Sequence, residues 1–392
     1  MQLSPPLEAL PDPVLVTDPT SLVEMVRALS YEPILAVDTE SNGLHAYREQ
    51  VCLVQFSTHE IDYLVDPLAL HDLSPLAPLF ADPNIEKIFH AAEYDLICLS
   101  RDFGFKFANL FDTMLAARIL GRSMLGLGAL LESEFGIALD KRHQRADWGK
   151  RPLPEDQLSY ARLDTHFLIP LRNAMSQELQ DRQWWELAQE DFRRLCSFPE
   201  RVEIEEADVP HINMPHISGA HELTPQQHAV LIELCKYRDQ VARAHNRPLF
   251  KVFGSETLLD IARYCPGNLR ELGELVGMSP RQVDRHGRQL LSAVRRGLNS
   301  EPFYQPRPVR PNDAYLNRLD RLRTWRKKAA QELEVESDII LPKDLMVSIA
   351  ENNPQTLAEL GELLQETPWR FNRLGDQMLQ SLTSNSRSNQ SK

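Results

Sequence analysis

The sequence predicts an α/β domain, a mixed sheet flanked by helices, followed by two all-α helical bundles. Three observations predict it. Short runs rich in Val, Ile and Phe alternate with amphipathic stretches through the first 195 residues. That alternation stops between residues 196 and 222, and beyond it the chain repeats itself at a constant offset of 88 residues. With 392 residues there is length for several domains, each burying its own core.

In chain order, strands are expected at 34–37, 51–56, 61–65 and 86–89, where β-branched and aromatic residues cluster. Helices are expected over 73–80, 93–102, 112–120, 125–133 and 154–180, several opening on Asp or Ser caps. Residues 1–195 thus read as one domain. Pro199, Pro210 and Pro215 interrupt a linker over 196–222, and Pro302, Pro306, Pro308 and Pro311 mark a second over 300–312. These breaks delimit a first bundle at 223–299 and a second at 313–383, with a polar, disordered tail over 384–392.

The repeat is gapless. Ile261, Ala262 and Pro266 fall on Ile349, Ala350 and Pro354. Leu269, Glu271, Leu272 and Gly273 fall on Leu357, Glu359, Leu360 and Gly361, and Arg238 meets Arg326. Apolar residues at three and four spacing, with Pro or Gly between, make each copy helical.

Composition narrows the function classes. Hydrophobic residues at 42% and charged residues at 25% describe a folded chain, not a disordered or fibrous one. No run of about 18 apolar residues occurs, so no membrane partner is expected, and residues 1–13 lack the basic and apolar regions of a secretory leader. Five scattered cysteines without a CxxC pair suggest neither zinc nor disulfides, which fits a reducing cytoplasm. The net charge of -13 is uneven: residues 1–200 hold 31 acids against 17 Lys and Arg, and residues 201–392 hold 25 against 26. Between Arg281 and Lys328, 13 Lys and Arg face four acids, with Phe303, Tyr304, Tyr315 and Trp325 interleaved, a pattern able to follow a phosphate backbone. The plain alternative is a solvated helix face.

The densest chemical signal is Ile34-Leu-Ala-Val-Asp38-Thr-Glu40, a buried-type strand ending in two acids that strand period places on one face. Crowded acids withdrawn from water need a proton or a cation. Lys87-Ile-Phe-His90-Ala-Ala-Glu93-Tyr-Asp95 runs from strand to helix and presents Asp95 in the first turn. Ser159-Tyr160-Ala-Arg-Leu-Asp164 puts Tyr160 and Asp164 on one helical face. Four carboxylates without cysteine form a hard oxygen site suited to Mg²⁺ or Mn²⁺. Two such ions can clamp the attacking and leaving oxygens of a phosphoryl displacement. His90 reads as a satisfied core histidine, Asp112 as an N-cap and Glu93 as helix surface.

These residues resemble the DEDD 3′–5′ exonucleases of the ribonuclease H-like fold: Asp38 and Glu40 match the first motif, Asp95 the second, Tyr160 and Asp164 the third. Tyr four residues before the last Asp, with Ser159 where a histidine form would carry His, matches the DEDDy group. The stretch from Leu139 through Asp147-Trp148 to Leu153, with two helical copies that resemble HRDC domains through Tyr237-Arg238 and Trp325-Arg326, is similar to the ribonuclease D family. Ser41 departs from that pattern, because relatives commonly carry an aromatic there for stacking on the 3′ base.

The resemblance implies a two-metal 3′–5′ exoribonuclease that trims 3′ ends, with precursor tRNA as substrate and two divalent cations, Mg²⁺ or Mn²⁺, as cofactors. It implies that Asp38 touches both ions, Glu40 and Asp164 hold one, Asp95 supports the other, and Tyr160 orients the attacking water. Arg145, Lys150 and Arg151, and in the second bundle Arg318, Arg321 and Arg323, are the candidates for phosphate contact. A cytoplasmic monomer is expected. A DNA exonuclease and a binding protein without catalysis are the alternatives; RNA and DNA of one sequence, assayed with and without metal, separate them.

Overall fold

The computed structural model describes residues 10–140, 142–198, 217–304 and 311–383. Much of the 196–222 linker, part of the 300–312 linker and the 384–392 tail lie outside the described residues. Two compact units emerge. The first contains the chain through Glu40, the stretch from Val51 to residue 198, and residues 311–383; the second contains Ser41–Gln50 and residues 217–304. Thus 1–195 is not one uninterrupted body, and the second bundle belongs with the α/β unit.

The α/β unit is built on a six-stranded mixed sheet in the order β1-β4-β3-β2-β5-β6. The strands are β1 (Val14–Val16), β2 (Ile34–Ser41), β3 (Val51–Ser57), β4 (Asp62–Val65), β5 (Glu86–Phe89) and β6 (Leu110–Asp112). β1 pairs parallel with β4, β3 antiparallel with β4, and β5 parallel with both β2 and β6. Alternation sends successive side chains to opposite faces. Leu35, Val37 and Phe89 join one core, and Ala36, Ile88 and Phe111 the other.

The helices are α1 (Pro19–Leu29), α2 (Ala77–Ala81), α3 (Glu93–Phe103), α4 (Thr113–Ile119), α5 (Leu127–Phe135), α6 (Glu155–His166), α7 (Leu168–Asp181) and α8 (Trp185–Cys196). Sequence periodicity missed β1 and β6, whose three residues are too few to show a pattern, and it missed α1 and α8. The signal for α1 was present: Asp18 caps the Thr20 and Ser21 amides and Pro19 opens the helix. The helix expected over 154–180 is two, divided at Phe167. Pro170 has no N–H to offer the His166 carbonyl one turn back, so the helix restarts.

The first bundle comprises α9 (Pro225–Ala244), α10 (Leu249–Val252), α11 (Ser255–Tyr264), α12 (Leu269–Gly273) and α13 (Pro280–Asn299). The second comprises α14 (Asp313–Glu332), α15 (Ser337–Ile340), α16 (Lys343–Asn352), α17 (Leu357–Leu363) and α18 (Pro368–Thr383). Each helix of the second begins 88 residues after its counterpart. Arg238 and Arg326, the repeated arginines, are both turned inward: Arg238 donates to the Phe253 carbonyl, and Arg326 donates to the Leu341 carbonyl, again 88 positions on. Close packing also recurs. A Cβ on Gly297 of α13 would come within 2.3 Å of Val230 Cα on α9, so only glycine allows that approach.

A buried ion cluster ties the second bundle to the α/β core. The Arg370 side chain is fully buried and donates to Glu190 at 3.0 Å and Asp191 at 2.8 Å, both on α8, and to the Ile339 carbonyl at 2.8 Å. The Trp369 amide also donates to Glu190. Around it, Arg118 pairs with Glu336 at 2.6 Å and with Asp338, and Arg194 pairs with Asp344 at 2.7 Å. Ile339 enters the same apolar core as Phe111 and Phe192.

Candidate active site

Strand geometry sets the first two acids. Beyond Ala36, the same face of β2 presents Asp38 and Glu40 at the strand's C-terminal end. Helix α6 packs on β3 and β4 and brings Asp164 to that face, with Tyr160 one turn earlier hydrogen-bonded to the Asp164 carboxylate. One carboxylate oxygen from each of Asp38, Glu40 and Asp164 lies within 4.8 Å of the others. Asp95, in the first turn of α3, accepts a short hydrogen bond from the Thr39 hydroxyl, which anchors α3 to β2 between the two acids.

The electrostatics are those of crowded acids short of positive charge. Burial first, then the charges of Asp95, Asp164 and Glu40, hold the Asp38 carboxyl well above the usual carboxylate range. Burial and the charges of Asp164 and Asp95 push Glu40 up to about 9. Asp95 and Asp164 are each raised to about 7, chiefly by burial. Burial and the same anions also push the Tyr160 phenol upward, so it stays a neutral donor. Among the described residues no Lys, Arg or His forms an ion pair with any of the four acids. An all-oxygen donor set that resists ionisation fits a hard divalent cation of the Mg²⁺ or Mn²⁺ class.

Neighbouring residues fix this arrangement. Asp112 is nearly fully buried, caps α4 through the Leu115 amide, and accepts from the Ala91 and Ala92 amides in the turn that launches α3. It therefore positions Asp95 from outside the acid cluster, in line with its reading as a cap. His90 meets the Thr113 hydroxyl at 2.9 Å, and burial lowers its pKa, which keeps it neutral. Trp148 is buried against Cys52, Leu53 and Leu64 with its ring 6.1 Å from that of Tyr160, and the His143 ring lies 5.7 Å away on the open side. A cleft of about 330 Å³ lined by Leu139, His143, Ser159, Tyr160, Leu163 and Asp164 opens there. The Thr39 bond and the His143 wall were not singled out in the sequence, because neither stands in a chemical pattern until the fold brings it beside the acids.

The expected phosphate contacts fare unevenly. Arg151 is exposed but tethered, donating to Asp66 at 2.5 Å and to the carbonyls of Cys52 and Trp148. Arg318 caps the end of α16 through the Ala350 carbonyl at 2.6 Å, and Arg321 caps α18 through the Leu382 carbonyl at 2.6 Å. In these three the planar guanidinium, which also suits phosphate, gives some of its donors to helix-end carbonyls and to the buried Asp66 carboxylate. Arg145, Lys150 and Arg323 lie on the surface, Lys150 near Asp147 at 3.8 Å.

Comparison with known proteins gives this geometry its class. Residues 13–180 match the 3′–5′ exonuclease family, and residues 227–294 and 316–382 each match the HRDC domain. The fold and the acid cluster together define a 3′–5′ exonuclease domain carrying two HRDC modules. The chain is 32% identical to ribonuclease D of Pseudomonas paraeruginosa over 94% of its own length and 97% of that protein. It superposes on the crystal structure of Escherichia coli RNase D with a TM-score of 0.67 and 26% identity, covering 95% of this chain and 99% of that one. The chain belongs to the ribonuclease D family of 3′–5′ exoribonucleases. It is also 33% identical to the RRP6-like 1 protein of Arabidopsis thaliana over 77% of its length, but spans only about half (48%) of that longer relative. Among the described residues no helix is long and apolar enough to cross a membrane.

Proposed function

We propose that this protein trims the 3′ ends of structured RNA precursors, tRNA precursors foremost, by two-metal hydrolysis, releasing nucleoside 5′-monophosphates one at a time as a cytoplasmic monomer. The observation that carries the reading is the convergence of Asp38, Glu40 and Asp164 with Asp95 alongside, all held above their ordinary pKa with no protein cation among the described residues. The E. coli relative is described as an exoribonuclease involved in structured RNA processing, which supports the same substrate class here.

When bound, two hard dications supply Lewis acidity to the scissile phosphate and charge neutralisation to the four acids. The chain does the rest. Asp38, Glu40 and Asp164 fix the reaction centre on the rigid end of β2 and on α6, while the Thr39 bond fixes Asp95. Tyr160, neutral and oriented by Asp164 and Trp148, directs its hydroxyl toward the attacking water. The cleft beside His143 receives the terminal nucleotide. Incubating 3′-tailed RNA and DNA of one sequence with Mg²⁺, Mn²⁺ or EDTA tests this: stepwise release of 5′-monophosphates from RNA, abolished by EDTA, is expected. A preference for DNA, or binding without cleavage in either metal, would overturn it.

A further inference from the structure

Because the two HRDC modules begin each helix at the same offset, their surfaces can be compared position by position. In the second module, Glu336, Ile339 and Arg370 face the α/β core. The matching positions of the first module are Pro248, Lys251 and Gln282. There the same corner holds a cleft of about 130 Å³ lined by His245, Arg247, Lys251, Arg281, Arg285 and His286. Arg247, Lys251, Arg281 and Arg285 are all exposed. Among the described residues none of the four forms an ion pair, and the one polar neighbour of Lys251 is the His45 ring at 3.5 Å. Several other cations of the same unit are neutralised, Arg263 by Glu222 and Asp260, Arg296 and Lys236 by Glu233, Arg270 by Glu274, so what marks the four is that they share one concavity. Four unpaired cations around one concavity repel each other unless an anion joins them.

We propose that this cleft of the first HRDC module binds backbone phosphates of the RNA strand other than the scissile one. Three guanidinium groups offer paired donors that match phosphate oxygens, and Lys251 adds a point charge. Phe250, 55% exposed beside Lys251 on α10, offers a base a stacking surface. The second module has no equivalent, since its corner carries Glu336 and Asp338 and is occupied by Arg118. The inference rests on RNA being the substrate and names which of the two modules grips it.

The test uses the full-length chain with Arg247→Ala, Lys251→Ala, Arg281→Ala and Arg285→Ala combined, and a fluorescent 3′-tailed stem-loop RNA in EDTA across a salt series. Affinity at low salt is expected to fall more than about 10-fold. The slope of log K against log salt should shrink by roughly 0.7 for each single-strand phosphate that is no longer neutralised, so by about 2 to 3. With Mg²⁺, hydrolysis of a dinucleotide should keep its wild-type kcat/KM while KM for the long RNA rises. Arg281→Lys with Arg285→Lys should retain the slope. An unchanged slope and affinity in the fourfold variant overturns the proposal. Should that variant melt early, Arg247→Ala and Arg285→Ala singly decide it, each expected to remove about 0.7 of slope. A wild-type protein that cleaves neither RNA nor dinucleotide would sink the exoribonuclease reading, yet the EDTA isotherms would still judge the cleft.

Discussion

Glu190 and Asp191 on α8 and the quartet Asp38, Glu40, Asp95 and Asp164 are all acids withdrawn from water within one compact unit, but among the described residues only the first pair meets a cation supplied by the chain. Arg370 reaches in from the second HRDC module and answers both. Even so, burial leaves the Glu190 carboxyl somewhat above its ordinary range, a reminder that desolvation competes strongly with a good ion pair. Among the described residues the quartet has no such partner, and it is pushed much further, Glu40 to about 9. A cluster neutralised from within holds domains together; a cluster left short of charge is built to receive its cation from solution.

The strongest challenge to this contrast lies at Asp38. Asp38→Asn should lower kcat on RNA by about 10³-fold or more, some 4 kcal/mol of transition-state stabilisation. The metal-free melting temperature should not fall, since one of four mutually repelling acids is gone; a matching loss of stability would make the quartet structural. At the other cluster, Arg370→Ala should leave Glu190 and Asp191 buried without their partner and reduce unfolding stability by about 3–5 kcal/mol, read by denaturant titration. A change under 1 kcal/mol would show that the pair does not secure the second module.

Metal linkage separates the two clusters further. The quartet's folded pKa values, about 7 for Asp95 and Asp164 and about 9 for Glu40, lie above ordinary carboxylate values. Their favourable contribution is therefore present in acid and is lost as pH rises through 7 to 9. Metal-free protein should melt progressively lower from pH 6 to pH 9, and one fixed Mg²⁺ concentration, set at 100 times the Kd measured at pH 7, should add about 2.7 kcal/mol there and more at pH 9, where the acids are ionised and bind it more tightly. A gain independent of pH would contradict this. Tyr160→Phe should slow single-turnover cleavage roughly 10- to 100-fold, the loss of one hydrogen bond to a charged or polarised group, with metal stabilisation unchanged. The smallest effect belongs to Arg118→Ala, whose pairs with Glu336 and Asp338 are partly solvated and should contribute under about 1 kcal/mol.

Much of the site could be read along the chain because its chemistry follows local periods. Asp38 and Glu40 share a face by the two-residue period of a strand, and Tyr160 and Asp164 share one by the helical turn. The 88-residue repeat likewise foretold five helix starts, since capping residues, prolines and glycines recur with it. What stayed hidden depends on distant pairing. Thr39 meets Asp95 across 56 residues, and Arg370 meets Glu190 across 180. The arginines marked for phosphate show the limit most clearly, for nothing in sequence distinguishes Arg321, bonded to a helix end, from Arg323, exposed to solvent.

The order of amino acids was enough to define the acid quartet, the helical or extended character of most segments, and the duplication, because each is governed by interactions within a few residues or by plain self-similarity. It took the folded chain to assign Ser41–Gln50 to the first HRDC module and the second module to the α/β core. Folding also decided which cations give donors to carbonyls and carboxylates and which form no ion pair among the described residues. The reason is physical: whether a charge is buried, paired or free depends on what the folded chain places beside it, and that neighbour lies tens to hundreds of residues away.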